Sequence, residues 1–268
     1  MRVGKANLIR EVLVQITVLG AHQIETATTR CYTILIDGQL AIDAGSLSSS
    51  LTLEQQGAVR AILLTHRHFD HIKDVASVGF NTIGMRTLEI YCPAALRDTL
   101  LANILNGVVW PDLSVSPSPN TPALQFFPLE VGQEAEILGY RVRALHSMHS
   151  VPTVGYLVEK DGCSAYFSSD TGPGSAASWK QIAPQLLVTE VTMPGRMAET
   201  ARKTGHFTPE LLEIELRDFV AARGYCPRVV ITHINPLYEQ EIAGELEHVA
   251  RTLSARIEMA TEGMRITL

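Results

Sequence analysis

The segment Thr65-His66-Arg67-His68-Phe69-Asp70-His71 constrains this chain more than any other part of it. It follows directly on the apolar run Ala61-Ile62-Leu63-Leu64, so four metal-capable side chains occupy six positions at the end of a strand-like run. On an extended segment alternate residues share a side, which points His66 and His68 together. A tight turn into a following helix brings Asp70 and His71 to a second point nearby. Two adjacent metal ions can share such a loop. A single histidine is more often a surface or helix-capping residue; the whole cluster reverses that expectation. Imidazole and carboxylate donors without thiolate suit zinc, and also iron or manganese.

Three further candidates stand where apolar runs end, the place from which side chains converge on one edge of a sheet. His149 follows the run that closes at Leu145, Asp170 follows Tyr166-Phe167-Ser168-Ser169, and His233 follows Val229-Val230-Ile231-Thr232. Taken singly, Asp170 and His233 read equally well as turn or capping residues. Their common context strengthens the joint reading.

The surrounding pattern mixes strands and helices. Short β-rich runs recur at 13–18, 32–36, 40–42, 61–64, 88–91, 124–127, 140–144, 154–158, 165–168, 186–189, 229–232 and 256–259. Helical periodicity covers 93–105, 209–222 with Thr208 as cap and Pro209 in the first turn, and 239–253. Strands and helices alternate in the second part; the first part reads as antiparallel meanders, with Asp37-Gly38 marking a hairpin. Residues 111–122 read as an internal loop. This mixture predicts helices packed outside stacked sheets. With 268 residues, 46% of them apolar and 19% charged, the chain can bury a sizeable core, and one elaborated domain over 1–268 is expected.

Composition excludes several partners. The chain carries 22 basic and 28 acidic residues, a net charge of −6, and no basic cluster able to neutralise a run of phosphates, so nucleic acid is not the expected partner. The stretch 6–21 is apolar but is interrupted by Arg10 and Glu11 and alternates like a strand. Neither a signal peptide nor a membrane span is expected there, and a cytoplasmic protein is. The four cysteines are scattered without a CxxC and predict neither a disulfide framework nor a thiolate metal knuckle.

With Asp43 in Ile42-Asp43-Ala44-Gly45, the HxHxDH loop, His149, Asp170 and His233 in this order, the sequence resembles the metallo-β-lactamase superfamily over nearly its whole length. The resemblance implies an α/β (α+β) chain folded as a four-layer αβ/βα sandwich, two mixed sheets flanked by helices, with a two-metal site at one edge. It implies that one ion takes His66, His68 and His149, that the other takes Asp70, His71 and His233, and that Asp170 bridges them. Two divalent ions are implied, zinc first, with manganese or iron as alternatives. Asp43 is expected to support the ligand loop from behind rather than to bind metal. His146 rivals His149, but His149 leads into Ser150-Val151-Pro152-Thr153-Val154-Gly155-Tyr156, which looks like the family's third motif.

Three segments narrow the resemblance to class II 3′,5′-cyclic-nucleotide phosphodiesterases: 42–47 with 51–56, then Asn106-Gly107-Val108-Val109-Trp110-Pro111-Asp112, and Gly205-His206-Phe207-Thr208-Pro209-Glu210-Leu211-Leu212. In these enzymes and in the related tRNA 3′-processing endonucleases, the histidine matching His206 acts near the leaving group, supported by an acid matching Glu190. Phosphodiester hydrolysis needs a nucleophile at neutral pH and compensation of charge at phosphorus, which two metals supply. Asp70 is then the acceptor or orienter of the water proton, and His206, its pKa held up by Glu190, serves the departing 3′ oxygen. The expected product is a nucleoside 5′-monophosphate. Phe69, Asn106 and Trp110 are the expected substrate contacts, cyclic AMP or cyclic GMP the expected small-molecule partner, and a homodimer the assembly the family leads one to expect.

The rivals are a tRNA 3′-processing endonuclease, whose arm usually lies between the third and fourth motifs, and a non-hydrolytic di-iron or ligand-binding protein. Only 20 residues separate His149 from Asp170, too few for such an arm. Carboxyl-ester or lactone hydrolysis is a minor alternative.

Overall fold

The computed structural model describes residues 13–268. Arg10, Glu11 and the amino-terminal part of the 6–21 stretch lie outside the described residues, as does the start of the expected 1–268 domain.

In chain order the first part forms β1 (Gln15–Gly20), β2 (Thr33–Ile36), β3 (Leu40–Ile42), α1 (Leu47–Ser50), α2 (Leu53–Ala58), β4 (Ala61–Leu63), α3 (Phe69–Ile72), α4 (Asp74–Asn81), β5 (Leu88–Cys92), α5 (Ala94–Asn103), the short pair β6 (Pro117–Ser118) and β7 (Thr121–Pro122), and β8 (Leu124–Pro128). The second part forms β9 (Glu134–Ile137), β10 (Tyr140–Ser147), β11 (Thr153–Lys160), β12 (Cys163–Phe167), α6 (Ala176–Trp179), β13 (Leu186–Glu190), α7 (Ala198–Thr204), α8 (Pro209–Arg223), β14 (Arg228–Thr232), α9 (Glu239–Leu253), β15 (Ile257–Met259) and β16 (Arg265–Thr267). Two seven-stranded sheets result, ordered β16-β1-β2-β3-β4-β5-β8 and β15-β14-β13-β12-β11-β10-β9.

Strand alternation sorts side chains into three apolar layers. Ile34 and Ile36 of β2, Ala61 and Leu63 of β4, Tyr156 and Val158 of β11, and Ala165 and Phe167 of β12 meet in the core between the sheets. Their neighbours face outward: Leu35 and Ile62 pack with Val75 and Val78 of α4 and Leu96 and Leu100 of α5. Leu157 and Tyr166 pack with Leu212, Leu216 and Phe219 of α8 and Ile242 of α9. Strands covered on both faces read as continuous apolar runs, which is why the sequence shows β-rich stretches with so little polar alternation. The outcome is the four-layer sandwich of two mixed sheets that the resemblance implied.

The expected antiparallel meander holds only for β1, β2 and β3. From β3 onward, β4, β5 and β8 pair in parallel, with helices as crossovers. Helices α1 to α4 span only four to eight residues each, too short for a 3.6-residue period to declare itself. The 111–122 loop carries the β6–β7 hairpin. The chain end returns to the start, where β16 pairs with β1. In the second sheet β12, β13, β14 and β15 are parallel. Parallel strands deliver their carboxyl ends to one edge, so Asp43 after β3, His66 after β4, Asp170 after β12, Glu190 at the end of β13 and His233 after β14 converge. Among the described residues, no helix is long and apolar enough to cross a membrane.

Candidate metal centre

Asp43 organises the start of the site. It leaves β3 with a left-handed backbone, φ 58°, and is fully buried. Its carboxylate accepts the Thr65 amide at 2.8 Å, the Thr65 hydroxyl at 2.7 Å and His71 Nδ1 at 2.7 Å. The Thr65 hydroxyl also lies 3.0 Å from His66 Nδ1 and accepts the Ser169 hydroxyl at 2.8 Å. One buried carboxylate thus sets the ring orientation of His71 directly and that of His66 through Thr65. Burial raises the Asp43 carboxyl above its usual range, against the pull of His71 and the Thr65 bonds.

The same device repeats around the cluster. His149 Nδ1 donates to the Gly205 carbonyl at 2.8 Å, and His233 Nδ1 lies 2.9 Å from the Thr192 hydroxyl. With Nδ1 of His66, His71, His149 and His233 engaged behind, each Nε2 is turned toward the rest of the cluster, where it can serve as a ligand atom. His68 is reversed, its Nδ1 lying 3.2 Å from His149 Nε2.

Asp170 occupies the middle. Its Oδ1 is 3.2 Å from His71 Nε2 and 3.4 Å from His233 Nε2, while its Oδ2 is 3.7 Å from both His66 Nε2 and His149 Nε2. Asp70 Oδ2 is 3.2 Å from His233 Nε2 and 3.6 Å from His71 Nε2. Ligand atoms of His66, His68, His149 and Asp170 lie within 4.8 Å of one another, as do those of Asp70, His71 and His233. Three atoms at the centre, His66 Nε2, His71 Nε2 and Asp170 Oδ1, are buried without a hydrogen-bond partner. Orphaned polar atoms of this kind are costly unless an ion or water engages them. The donor set and its orphans fit a binuclear divalent metal site.

The electrostatics differ from group to group. Although burial raises the Asp170 carboxyl, His233, His71 and His66 together hold it well below the carboxylate range, as a permanent anion. Burial, with His71 beside it, lowers His66 well below its usual value and keeps the ring neutral. His71 goes the other way: Asp170 and Asp43 outweigh burial and raise it.

His206 stands beside this cluster on a turn that only glycine permits. Gly205 ends α7 at φ +72°, and a Cβ there would lie 2.8 Å from His149 Cα and 2.9 Å from the Ser150 nitrogen. Thr208 then caps α8, accepting the Leu211 amide at 3.4 Å. His206 Nδ1 is 2.6 Å from Glu190 Oε1, and its ring stacks on His233 at 5.5 Å between centroids. Glu190 also accepts the Thr171 amide at 2.9 Å and the Thr192 hydroxyl at 2.6 Å. Burial disfavours the His206 cation, but Glu190 prevails and pushes its pKa up to about 9.

Of the sequence-predicted residues, His66, His68, Asp70, His71, His149, Asp170 and His233 come together, with Asp43 behind them and the His206–Glu190 pair alongside. His146 does not join; it lies within β10 with its side chain exposed. Phe69 is 66% exposed at the start of α3. Asn106 and Trp110, the other expected substrate contacts, lie in the segment after α5. The Asn106 carboxamide accepts the Val108 and Val109 amides at 2.9 Å and so closes a turn. Trp110 packs edge-on to Phe80 at 5.5 Å, as cover for the outer core of the first sheet. Sequence reasoning missed Thr65, Ser169 and Thr192, whose hydroxyls link the carboxylates to the imidazoles. Thr65 and Thr192 lie within two residues of His66 and Glu190, the one signal that marked them.

A cavity of about 280 Å³ opens next to His149 and Gly205, with Ser150, Arg202 and Lys203 in its wall.

Residues 32–234 match the family profile described as a beta-lactamase superfamily domain. A ribonuclease Z of Methanopyrus kandleri is 29% identical over 127 residues, which cover 45% of this chain and 40% of that protein. A UPF0173 metal-dependent hydrolase of Methanocorpusculum labreanum is 28% identical over 152 residues, 56% of this chain and 60% of that one. The chain therefore spans less than two thirds of the length of either relative. Among solved structures, unliganded yeast PDE1 superposes with a TM-score of 0.78 at 16% identity, covering 96% of this chain and 99% of that one.

Proposed function

The chain belongs to the metallo-β-lactamase superfamily, and on that premise we propose that it is a metal-dependent hydrolase that cleaves the 3′,5′-cyclic phosphodiester of a cyclic nucleotide to the 5′-monophosphate. The observation that carries the proposal is the His206–Glu190 pair, 2.6 Å apart and stacked against the His233 ring. Hydrolysis of a phosphodiester expels an alkoxide, a poor leaving group, and a fixed imidazolium is the acid that this step needs.

In this reading His66, His68, His149 and Asp170 would hold one ion, Asp70, His71, His233 and Asp170 would hold the second, and zinc would be the metal. Bound there, the cations supply Lewis acidity to the phosphate and make water a nucleophile near neutral pH. Asp70, whose side chain remains 27% exposed, orients the attacking water and accepts its proton. His206 Nε2 delivers a proton to the departing 3′ oxygen, while Glu190 holds Nδ1 and keeps the imidazolium charged. Asp43 and Thr192 fix the rings from behind, so little reorganisation accompanies the reaction. The acidic net charge of −6 suits a small substrate better than a polyanion. Phe69, exposed beside Asp70, remains a candidate contact for the base. A homodimer, from the family likeness, and a cytoplasmic place of action, from the 6–21 stretch read as a strand, complete the proposal.

The ribonuclease Z relative favours a second reading, tRNA 3′ processing. Against it, β11 and β12 are joined by Asp161-Gly162 alone, both with positive φ, so no arm projects between His149 and Asp170. The test is a panel of cyclic AMP, cyclic GMP, a precursor tRNA and a lactone, offered to protein of measured metal content. Turnover of a cyclic nucleotide to its 5′-monophosphate is expected; cleavage of the precursor tRNA without cyclic-nucleotide turnover would overturn the reading.

A further inference from the structure

His233 has a left-handed backbone, φ 54°, a conformation a non-glycine residue keeps only when its surroundings hold it. Thr192 holds the ring. The residue after it is held elsewhere: the Ile234 amide donates to the Ala21 carbonyl, and the Ile234 carbonyl accepts the Gln23 amide, both at 3.1 Å. Segment 21–23 belongs to neither sheet, so something must hold it in turn.

That anchor is one carboxylate oxygen. Glu262 Oε1, in the turn between β15 and β16, accepts the Arg30 amide at 2.9 Å and the Ala21 amide at 3.5 Å, and lies 2.6 Å from His22 Nδ1. His22 is 3% exposed, and its amide donates to the Arg30 carbonyl at 3.0 Å. The turn itself is tied to β1 through the Gly263 amide and the Val18 carbonyl, 2.8 Å apart. The end of β1, the 21–30 loop and the carboxyl end of β14 therefore meet at Glu262.

We propose that Glu262, acting through His22 and segment 21–23, is a positioning residue that holds His233 in its left-handed conformation and thereby completes one half of the metal centre. The inference rests on the reading of His233 as a ligand of the second ion. Glu262→Ala removes the shared acceptor and frees the Ile234 bridge, whereas among the described residues the His66, His68 and His149 half has no hydrogen bond to this latch.

The test is a competitive zinc titration of metal-stripped protein against a chelator, which resolves the two binding steps. In Glu262→Ala the step that His233→Ala abolishes should weaken about 10-fold or more, with the other step unchanged. Glu262→Gln, which keeps an oxygen acceptor, should restore most of the loss. His22→Leu, a gentler variant of similar bulk, should weaken the same step. Equal weakening of both steps, no weakening of either, or failure of both Glu262→Ala and His22→Leu to fold would overturn the assignment. Wild-type protein that binds a single ion would instead overturn the two-ion reading, and the latch with it.

Discussion

The charge on His206 is the most exposed point of the proposed chemistry, and Glu190→Gln isolates it. The substitution keeps size and one oxygen acceptor but removes the anion 2.6 Å from Nδ1 and turns the other acceptor into a donor. In the wild type Glu190 overcomes burial and raises the imidazole to about 9, so His206 carries its proton below that pH and loses it above. Without the anion, burial remains, and the pKa falls to the ordinary value of about 6.5 or lower. At pH 8 the protonated fraction drops from about 0.9 to about 0.03, so kcat/KM should fall roughly 30-fold. At pH 6, with the variant at about 6.5, the loss should be less than about two-fold, because both forms are then largely protonated. The assay is kcat/KM for cyclic AMP from pH 5.5 to 10 at constant metal loading. The descending limb should move from near 9 to near 6.5 or below, and His206→Ala should abolish it and cost about 10²-fold at its optimum. A limb that stays near 9 in Glu190→Gln, or a His206→Ala enzyme with unchanged turnover, would refute the role given to this pair.

Asp170→Ala removes the carboxylate that faces both halves of the cluster, and metal analysis should show that at least one ion is lost; full occupancy of both positions would show that Asp170 does not bridge. Asp43→Ala leaves the Thr65 amide, the Thr65 hydroxyl and His71 Nδ1 buried without their acceptor, and should destabilise the fold by about 3 kcal/mol or more in denaturant titrations. An unchanged midpoint would mean that these bonds are made elsewhere. Gly205→Ala places a Cβ 2.8 Å from His149 Cα in a left-handed turn, which should cost at least about 1–2 kcal/mol and lower kcat/KM with the displacement of His149 and His206. Wild-type kinetics in this variant would show that the turn is free to shift without disturbing either ring.

Much of the site was legible because its signals are local. HxHxDH lies in one segment, His149, Asp170 and His233 each follow an apolar run, and Thr208-Pro209 announces α8 by capping chemistry that depends on four consecutive residues. The near-continuous apolar runs of β2 and β4 likewise mark strands buried on both faces. The turn that Asn106 closes and the contact of Trp110 with Phe80 were not legible. A turn-forming carboxamide and a core-covering indole look the same in sequence as a pocket wall, because what separates them is which neighbours arrive from elsewhere in the chain.

Residue types and their spacing along the chain were enough to select the donor chemistry and a mixture of helices outside stacked sheets, which follow from periodicity and from groups within a few residues of one another; the family and its four layers came from the resemblance of motifs in order. Tertiary structure alone decided that β3, β4, β5 and β8 run parallel, that one oxygen of Asp170 faces His71 and His233 while the other faces His66 and His149, and that Glu262 reaches back to His22. Those outcomes depend on contacts such as Asp70 with His233, 163 residues apart. Such contacts form only when the two sheets pack, and their register is set by burial and closure of the whole core rather than by any local preference.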